Sequence, residues 1–239
     1  MKKAAFILAF LALLSGTSCM LTEAHDSGPM RKVSRQVPVF SGVNAEGAFD
    51  ITLTQGDANT LFVEAGSKVL DKIKTEVKDG VLEISSEGNL STDSAMRISI
   101  VLSTLKSLDC GGACRVHGAG IFKTDHLRLE VSGAGQTDLD TEVEKLEINL
   151  SGAAKLHLTG KTSELEATLD GASQLKAFHF KSDKAVLSLS GASNADVNVK
   201  KDLRGRASGA SSLIYAGSPE HESVESSGAS SIQKANNEE

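Results

Sequence analysis

Between residues 105 and 234, apolar and polar side chains alternate in short runs, and a small-residue motif interrupts the alternation at a nearly constant interval. From Lys145 onward, Leu146, Ile148 and Leu150 alternate with Glu147 and Asn149, the period of two expected of a strand with one buried face. Ser151-Gly152-Ala153-Ala154 follows, and alternation resumes with Leu156 and Leu158 set among Lys155, His157 and Thr159. Gly160-Lys161-Thr162-Ser163 has the composition of a polar turn. One unit therefore reads strand, bend, strand, turn, with no helical stretch.

The small-residue motif recurs as Gly111-Gly112-Ala113-Cys114, Ser132-Gly133-Ala134-Gly135, Ser151-Gly152-Ala153-Ala154, Asp170-Gly171-Ala172-Ser173, Ser190-Gly191-Ala192-Ser193, Ser208-Gly209-Ala210-Ser211 and Ser227-Gly228-Ala229-Ser230. Its central glycines thus return at a nearly even interval along the chain. A fixed period of roughly 20 residues marks a solenoid in which each unit stacks on its neighbours. Residues one period apart match in polarity. Before the bend the inward pairs are Leu108/Cys110, Leu129/Val131, Ile148/Leu150, Ala167/Leu169 and Leu187/Leu189. After it they are Thr137/Leu139, Leu156/Leu158, Leu175/Ala177, Ala195/Val197 and Leu213/Tyr215. The expected fold is all-β: a single-stranded, parallel, right-handed β-helix with about 19–20 residues per coil. With neighbouring coils roughly 4.8 Å apart, the repeats make a rod on the order of 30 Å tall. A propeller needs about twice this period, and leucine-rich repeats space their leucines differently.

Gly112, Gly133, Gly152, Gly171, Gly191, Gly209 and Gly228 are read as structural bends, because glycine reaches backbone angles closed to other residues. Serines flank most of them, and stacked coils would align these hydroxyls into ladders bonding coil to coil. The last copies weaken: Gly205/Ala207 and Val224/Ser226 replace large inward pairs, and Lys234 falls at an inward position. A polar terminal repeat of this kind caps a solenoid against end-to-end stacking. Residues 235–239 are a polar tail.

Residues 36–104 are β-rich without visible periodicity. Candidate strands are Val37–Phe40, Phe49–Thr54, Leu61–Glu64, Ile73–Val77, Val81–Ser85 and Met96–Leu102, with a hairpin signal at Asp79-Gly80 and one helical turn over Ser67–Leu70. The segment either packs on the first coil or forms irregular coils of the same solenoid. No Pro- or Ser-rich linker divides it from the repeats, which favours one continuous core.

At the start, Met1-Lys2-Lys3 precedes the apolar run Ala4–Leu14 and then Ser15-Gly16-Thr17-Ser18-Cys19. A basic start, a short apolar core and small residues are the parts of an export signal. The apolar run falls well short of the roughly 20 residues that span a bilayer. Residues 1–19 thus read as a signal peptide. Cys19 follows it as in a bacterial lipobox, although Gly16 stands where leucine is usual. Acylation of Cys19 and anchoring to a membrane leaflet is one reading; plain secretion is the other. Residues 20–35 read as a flexible tether.

Cys110 and Cys114 occupy an inward and a bend position of the repeat. Export would put them in an oxidising compartment, but four residues of extended strand span about 13 Å and a bridge needs Cα atoms within about 7 Å. Only a sharp bend at Gly111-Gly112 closes that gap. The reading is two unpaired, space-filling thiols.

Phe40-Ser41-Gly42-Val43, the run Gly47-Ala48-Phe49-Asp50-Ile51-Thr52-Leu53-Thr54-Gln55-Gly56, the run from Leu70 to Ile84 and the repeated Ser-Gly-Ala together resemble the GIN-type head domain family of autotransporter adhesin heads. The resemblance covers roughly residues 36–232. It implies an exported, often lipid-anchored β-helical protein of the cell envelope, at the outer membrane or cell surface or in the periplasm. No catalytic or ligand residue comes with it.

Composition narrows the chemistry further. Net charge is −6, with Lys and Arg scattered, which argues against nucleic acid as a partner. No phosphate-binding glycine loop, serine-nucleophile motif or cofactor fingerprint is present. Calcium repeats recur every nine residues with an aspartate each time, whereas here that slot holds His157, Lys176, Asp196, Ile214 and Gln233. His117 and His157 share the same slot two coils apart, too far to share a metal. The first functional reading is a non-enzymatic binding module, adhesin-like, with a protein or glycan partner and a lipid anchor if Cys19 is acylated. The alternative is a carbohydrate-active or carbohydrate-binding β-helix. Its carboxylate candidates are Asp138, Asp140, Asp170 and Asp196, spread over several coils, where catalysis needs two within about 10 Å. The chain has no Trp and one Tyr, and Phe178 and Phe180 share parity and are read as core, so an aromatic sugar platform finds little support.

Overall fold

The computed structural model describes residues 27–88, 90 and 94–235. Cys19, the signal segment, residues 20–26 of the tether and the last four residues of the tail lie outside the described residues. The repeats form strands β9 (Arg115–Val131), β10 (Gln136–Leu150), β11 (Lys155–Leu169), β12 (Gln174–Leu189) and β13 (Asn194–Ala207), each pairing in parallel with the next. The next coil is split into β14 (Ser212–Ala216) and β15 (His221–Ser226), both parallel to β13, and β16 (Ser231–Lys234) begins one more, stacked in parallel on β14. All ten inward pairs named above are buried, in one continuous core. The fold is a parallel β-solenoid of about seven turns.

The expected turn at Gly160–Ser163 is not a turn. The ladder runs through it, with Thr141, Glu142 and Val143 paired to Gly160, Lys161 and Thr162. Its polar residues belong to a corner that stays hydrogen-bonded above and below, so one strand of 14 to 17 residues spans each interval between bends. Departures from a constant period are absorbed beside this corner. Register slips between Asp138 and Asp140 against β9, between His157 and Gly160 against β12, and between Ala177 and Lys181 against β13. The second slip explains a correction: Phe178 and His179 form a bulge, so Phe178 is 37% exposed while Phe180 is 1% exposed. Equal parity does not mean an equal face once a residue is inserted between them.

The solenoid begins earlier than the repeat motif. Strands β2 (Gly42–Gly47) and β3 (Phe49–Gln55) form a coil that pairs in parallel with β8 (Ser107–Gly112) and with β9. Its bend is Gly47-Ala48, with the Ala113 N–H donating to the Gly47 carbonyl at 2.9 Å. On the far side, β6 (Val81–Ser86) pairs in parallel with β2, and β7 (Met96–Leu102) with β3. The chain therefore lays down one coil, builds a second outside it, and crosses back beneath the first to start the repeats.

Antiparallel strands close this end: β5 (Ile73–Lys78) on β6, β4 (Thr60–Gly66) on β7, and β1 (Met30–Arg35) on β4. A single 3-10 turn, Leu70–Lys72, links β4 to β5. Strand β1 shortens the expected tether. The Arg35 guanidinium donates to the carbonyls of Leu70 and Ile73 and to the Thr75 hydroxyl at 3.0, 2.7 and 2.9 Å, and Lys32 lies 5.0 Å from the centre of the Phe62 ring. Val37–Phe40 is not a strand: Pro38 supplies no ladder donor, Val39 is exposed, and Phe40 is buried in the core with Val37 packed partly against it.

Candidate functional site

Three surfaces follow from the coil. The first is the spine of stacked bends. Each bend glycine from Gly112 to Gly228 has φ between +68° and +76°, and the following alanine N–H donates to the glycine carbonyl one coil back at 2.7–2.9 Å. A β carbon at Gly152 would sit 2.7 Å from the Gly133 carbonyl oxygen, so both the backbone angle and the close stacking demand glycine here. The serines do not form a hydroxyl-to-hydroxyl ladder. After the bend, Ser193 donates to the Ser190 carbonyl and Ser211 to the Ser208 carbonyl, both at 2.9 Å, closing the bend locally. Before it, serines reach the preceding coil: Ser190 donates to the Asp170 carboxylate at 2.8 Å and Ser208 to the Leu189 carbonyl at 3.3 Å. Backbone carbonyls at fixed height are nearer partners than the next hydroxyl. The Ser190 hydroxyl and the Gly171 N–H hold the Asp170 carboxyl below its usual pKa.

The second surface is the outer face of the strands after the bend. Parallel register sets its side chains in columns: Asp50, Arg115, Gln136, Lys155, Gln174 and Asn194 in one, and His117, Asp138, His157, Lys176 and Asp196 in the next. Arg115 pairs with Asp50 at 3.2 Å and His157 Nδ1 lies 3.4 Å from Asp138. Between the columns is a shallow recess of about 400 Å³ lined by Gln136, Asp138, Lys155, His157, Gln174 and Lys176. Burial pushes the Asp196 carboxyl above its usual pKa. The four carboxylates considered for catalysis do not share one groove, although Asp138 and Asp140 stand two residues apart on β10, about 7 Å along the strand. Asp138 is engaged by His157, Asp140 sits at the corner beside Gly160, Asp170 belongs to the spine, and Asp196 is three coils from Asp138, about 14 Å away. Only Asp138 lines the recess.

The third surface, over the strands before the bend and the corner, is tied up in ion pairs. Lys145 bridges Glu147 and Glu166 at 2.6 and 3.6 Å, and His126 also lies 3.3 Å from Glu147. At the corner, Lys123 and Lys161 flank Glu142 at 3.2 and 3.7 Å and hold its carboxyl below the usual range. A groove of about 670 Å³ runs along this edge past Lys123, Lys161, Lys181 and Lys200. Near the start of the rod, partial burial and the neighbouring Glu130 and Glu46 push the Asp109 carboxyl up. Among the described residues no group of three or more His, Cys, Asp or Glu is placed to hold a metal ion.

Reading along the chain found one column as a repeated slot, at His117, His157, Lys176 and Asp196, and missed the other, which register creates beside it. The signal was present as polar identity one period apart: Gln136, Lys155 and Gln174. The eighth bend glycine, Gly47, escaped because the chain runs through strands β4 to β7 before it reaches Gly112.

The architecture defines a β-solenoid with a glycine spine and polar outer faces. Residues 39–219 match the family model described as "Putative auto-transporter adhesin, head GIN domain", and the chain belongs to that family. Solved structures with the same fold include that of a "putative adhesin" from Bacteroides fragilis, 22% identical, with a TM-score of 0.81 over 88% of this chain and 99% of that one. Another, from Parabacteroides merdae and described in the same words, is 15% identical with a TM-score of 0.70 over 87% and 97% of the two chains. A third, a "putative lipid binding protein" from Parabacteroides distasonis, is 19% identical with a TM-score of 0.67 over 88% and 99%. No curated protein matches the chain.

Proposed function

We propose that this protein is a non-enzymatic binding module of the cell envelope, adhesin-like, which engages a polar polymer or protein surface through the outer face of the strands after the bend. The carrying observation is the pair of columns at Gln136, Lys155 and Gln174 and at Asp138, His157 and Lys176. They present amide, ammonium, carboxylate and imidazole groups on a flat sheet at steps of roughly 4.8 Å. Such a face offers hydrogen bonds to a ligand with its own polar repeat. Membership of an adhesin-head family supports the reading, as does the export signal read at residues 1–19.

Purified protein on a glycan array, paired with adhesion of a deletion strain complemented by wild type or by Gln136→Ala/Gln174→Ala, tests it. Binding and adhesion lost together in the variant, with the fold intact by circular dichroism, is the expected result. Undiminished adhesion by the deletion strain overturns it, and turnover of a glycan by the protein favours a carbohydrate-active enzyme. For the anchor, Cys19→Ser shifts the protein from the membrane fraction to the soluble one; unchanged fractionation removes the acylated reading.

A further inference from the structure

We propose that Cys110 and Cys114 form an intrachain disulfide that staples the first bend of the repeat array. Both thiols are fully buried and unbonded in this structure, and the Cys110 Sγ lies 3.3 Å from the Cys114 carbonyl oxygen. The sharp bend that a bridge requires is present: Gly112 has φ +75°, and it turns residues 110 and 114 into the same core.

The next coil supplies a ruler. Val131 pairs in register with Cys110, and Gly135 stacks on Cys114 through the Gln136-to-Cys114 and Lys155-to-Gly135 hydrogen bonds. A β carbon built on Gly135 would lie 2.8 Å from Val131 Cγ1. A sulfur–sulfur bond of about 2.04 Å sets the γ sulfur of one cysteine about 3 Å from the β carbon of the other. The bend geometry of this solenoid therefore carries the spacing of a bridged pair.

This bend also lacks the restraint found later in the array. In the last bends a serine donates to the carbonyl three residues back, as Ser193, Ser211 and Ser230 do at 2.9, 2.9 and 2.7 Å. Cys114 occupies that position, as Gly135 and Ala154 do in the next two bends, and here Gly111 also replaces the preceding residue, leaving two glycines in succession. A covalent bridge would restrain the one bend of the array that has two glycines in succession.

The oxidant is a disulfide, either oxidised glutathione or the active-site disulfide of an envelope oxidase. One cysteine thiolate attacks it, releasing one thiol and forming a mixed disulfide; the second thiolate displaces the other thiol and closes the Cys110–Cys114 bond. Two electrons and, overall, two protons pass to the oxidant. Because both sulfurs are buried in the folded coil, exchange takes place before the coil closes.

The proposal rests on the export reading only for its oxidant in the cell, and two measurements separate the parts. In the first, the full chain is refolded from the reduced state in a glutathione buffer, quenched in acid, alkylated in denaturant and mapped by mass spectrometry. A linked Cys110–Cys114 peptide, lighter by two hydrogen atoms than the reduced pair, is expected. Alkylation of both sulfurs, or glutathione adducts at either, overturns the bridge. In the second, protein is trapped from cells in the same way. Recovery of the linked peptide supports the bridge in the cell. Reduced thiols there, after bridging in the refolding arm, overturn export to an oxidising compartment while leaving the geometry standing.

Discussion

Replacing Gly152 with alanine separates the two reasons the spine uses glycine. Its φ of +74° is left-handed backbone, which costs a residue with a β carbon about 1–2 kcal/mol. The added carbon would also lie 2.7 Å from the Gly133 carbonyl oxygen and 3.2 Å from its nitrogen. Relief requires the two coils to part at the bend, stretching the 2.7 Å bond from the Ala153 N–H to the Gly133 carbonyl, whose loss costs roughly 1 kcal/mol. The total comes to about 2–3 kcal/mol. Gly80 is the control, at φ +76° with nothing within 4 Å of a new β carbon, so Gly80→Ala bears the backbone cost alone. Urea unfolding followed by far-UV circular dichroism gives both values from the midpoint and slope. The expected gap is about 1 kcal/mol in favour of Gly80→Ala. Equal losses would refute the argument that stacking, beyond backbone angle, selects glycine along the spine.

Three further outcomes are expected. Asp109→Asn raises the melting temperature at neutral pH by about 1–2 °C, since like charges facing one another across strands cost roughly 0.5 kcal/mol. The folded-state pKa of Asp109 is raised, so the wild type loses this penalty on taking up a proton; the gain therefore shrinks as pH falls through that pKa and is gone below its ordinary value of 3.8. A gain that persists at low pH would contradict the assignment. Ser173→Ala is neutral or stabilising, because the Ser173 hydroxyl is buried without a hydrogen-bond partner among the described residues. Ser193→Ala costs about 1 kcal/mol for the bond it loses; urea midpoints that ranked the two in the opposite order would count against the local bend closure. Phe180→Ala costs about 3–5 kcal/mol and Phe178→Ala under about 0.5 kcal/mol, and comparable losses would remove the bulge between them.

How much could be read from the chain depended on whether a partner sits one period away. Leu146, Ile148 and Leu150 announce their face by alternation, and the stacked coils repeat the announcement, so the repeat array and its inward pairs were legible. The coil of β2 and β3 uses the same bend, yet its neighbour in space, β8, follows only after β4 to β7 have been laid down, so no period shows. The outer layer of β6 and β7 hides for the same reason: order in space differs from order in sequence. Strand β1 was missed because its hold is tertiary, through its ladder to β4 and the contacts of Arg35 and Lys32, with Val33 its one side chain packed on the core. The column at Gln136, Lys155 and Gln174 was missed because polar residues carry no burial signal; only register shows which of them stand together.

Every departure from the regular coil length is settled beside the corner, and none at the bends, where the seven alanine-to-glycine hydrogen bonds keep step from Gly47 to Gly209. The molecule is thus bound like a book. Its pages are sewn along one margin, while the opposite margin can be trimmed or extended leaf by leaf without loosening the binding. New peptide grafted at Gly120 or at Phe178-His179 would enter at that free margin, leaving the stitched one and the flat page between them undisturbed.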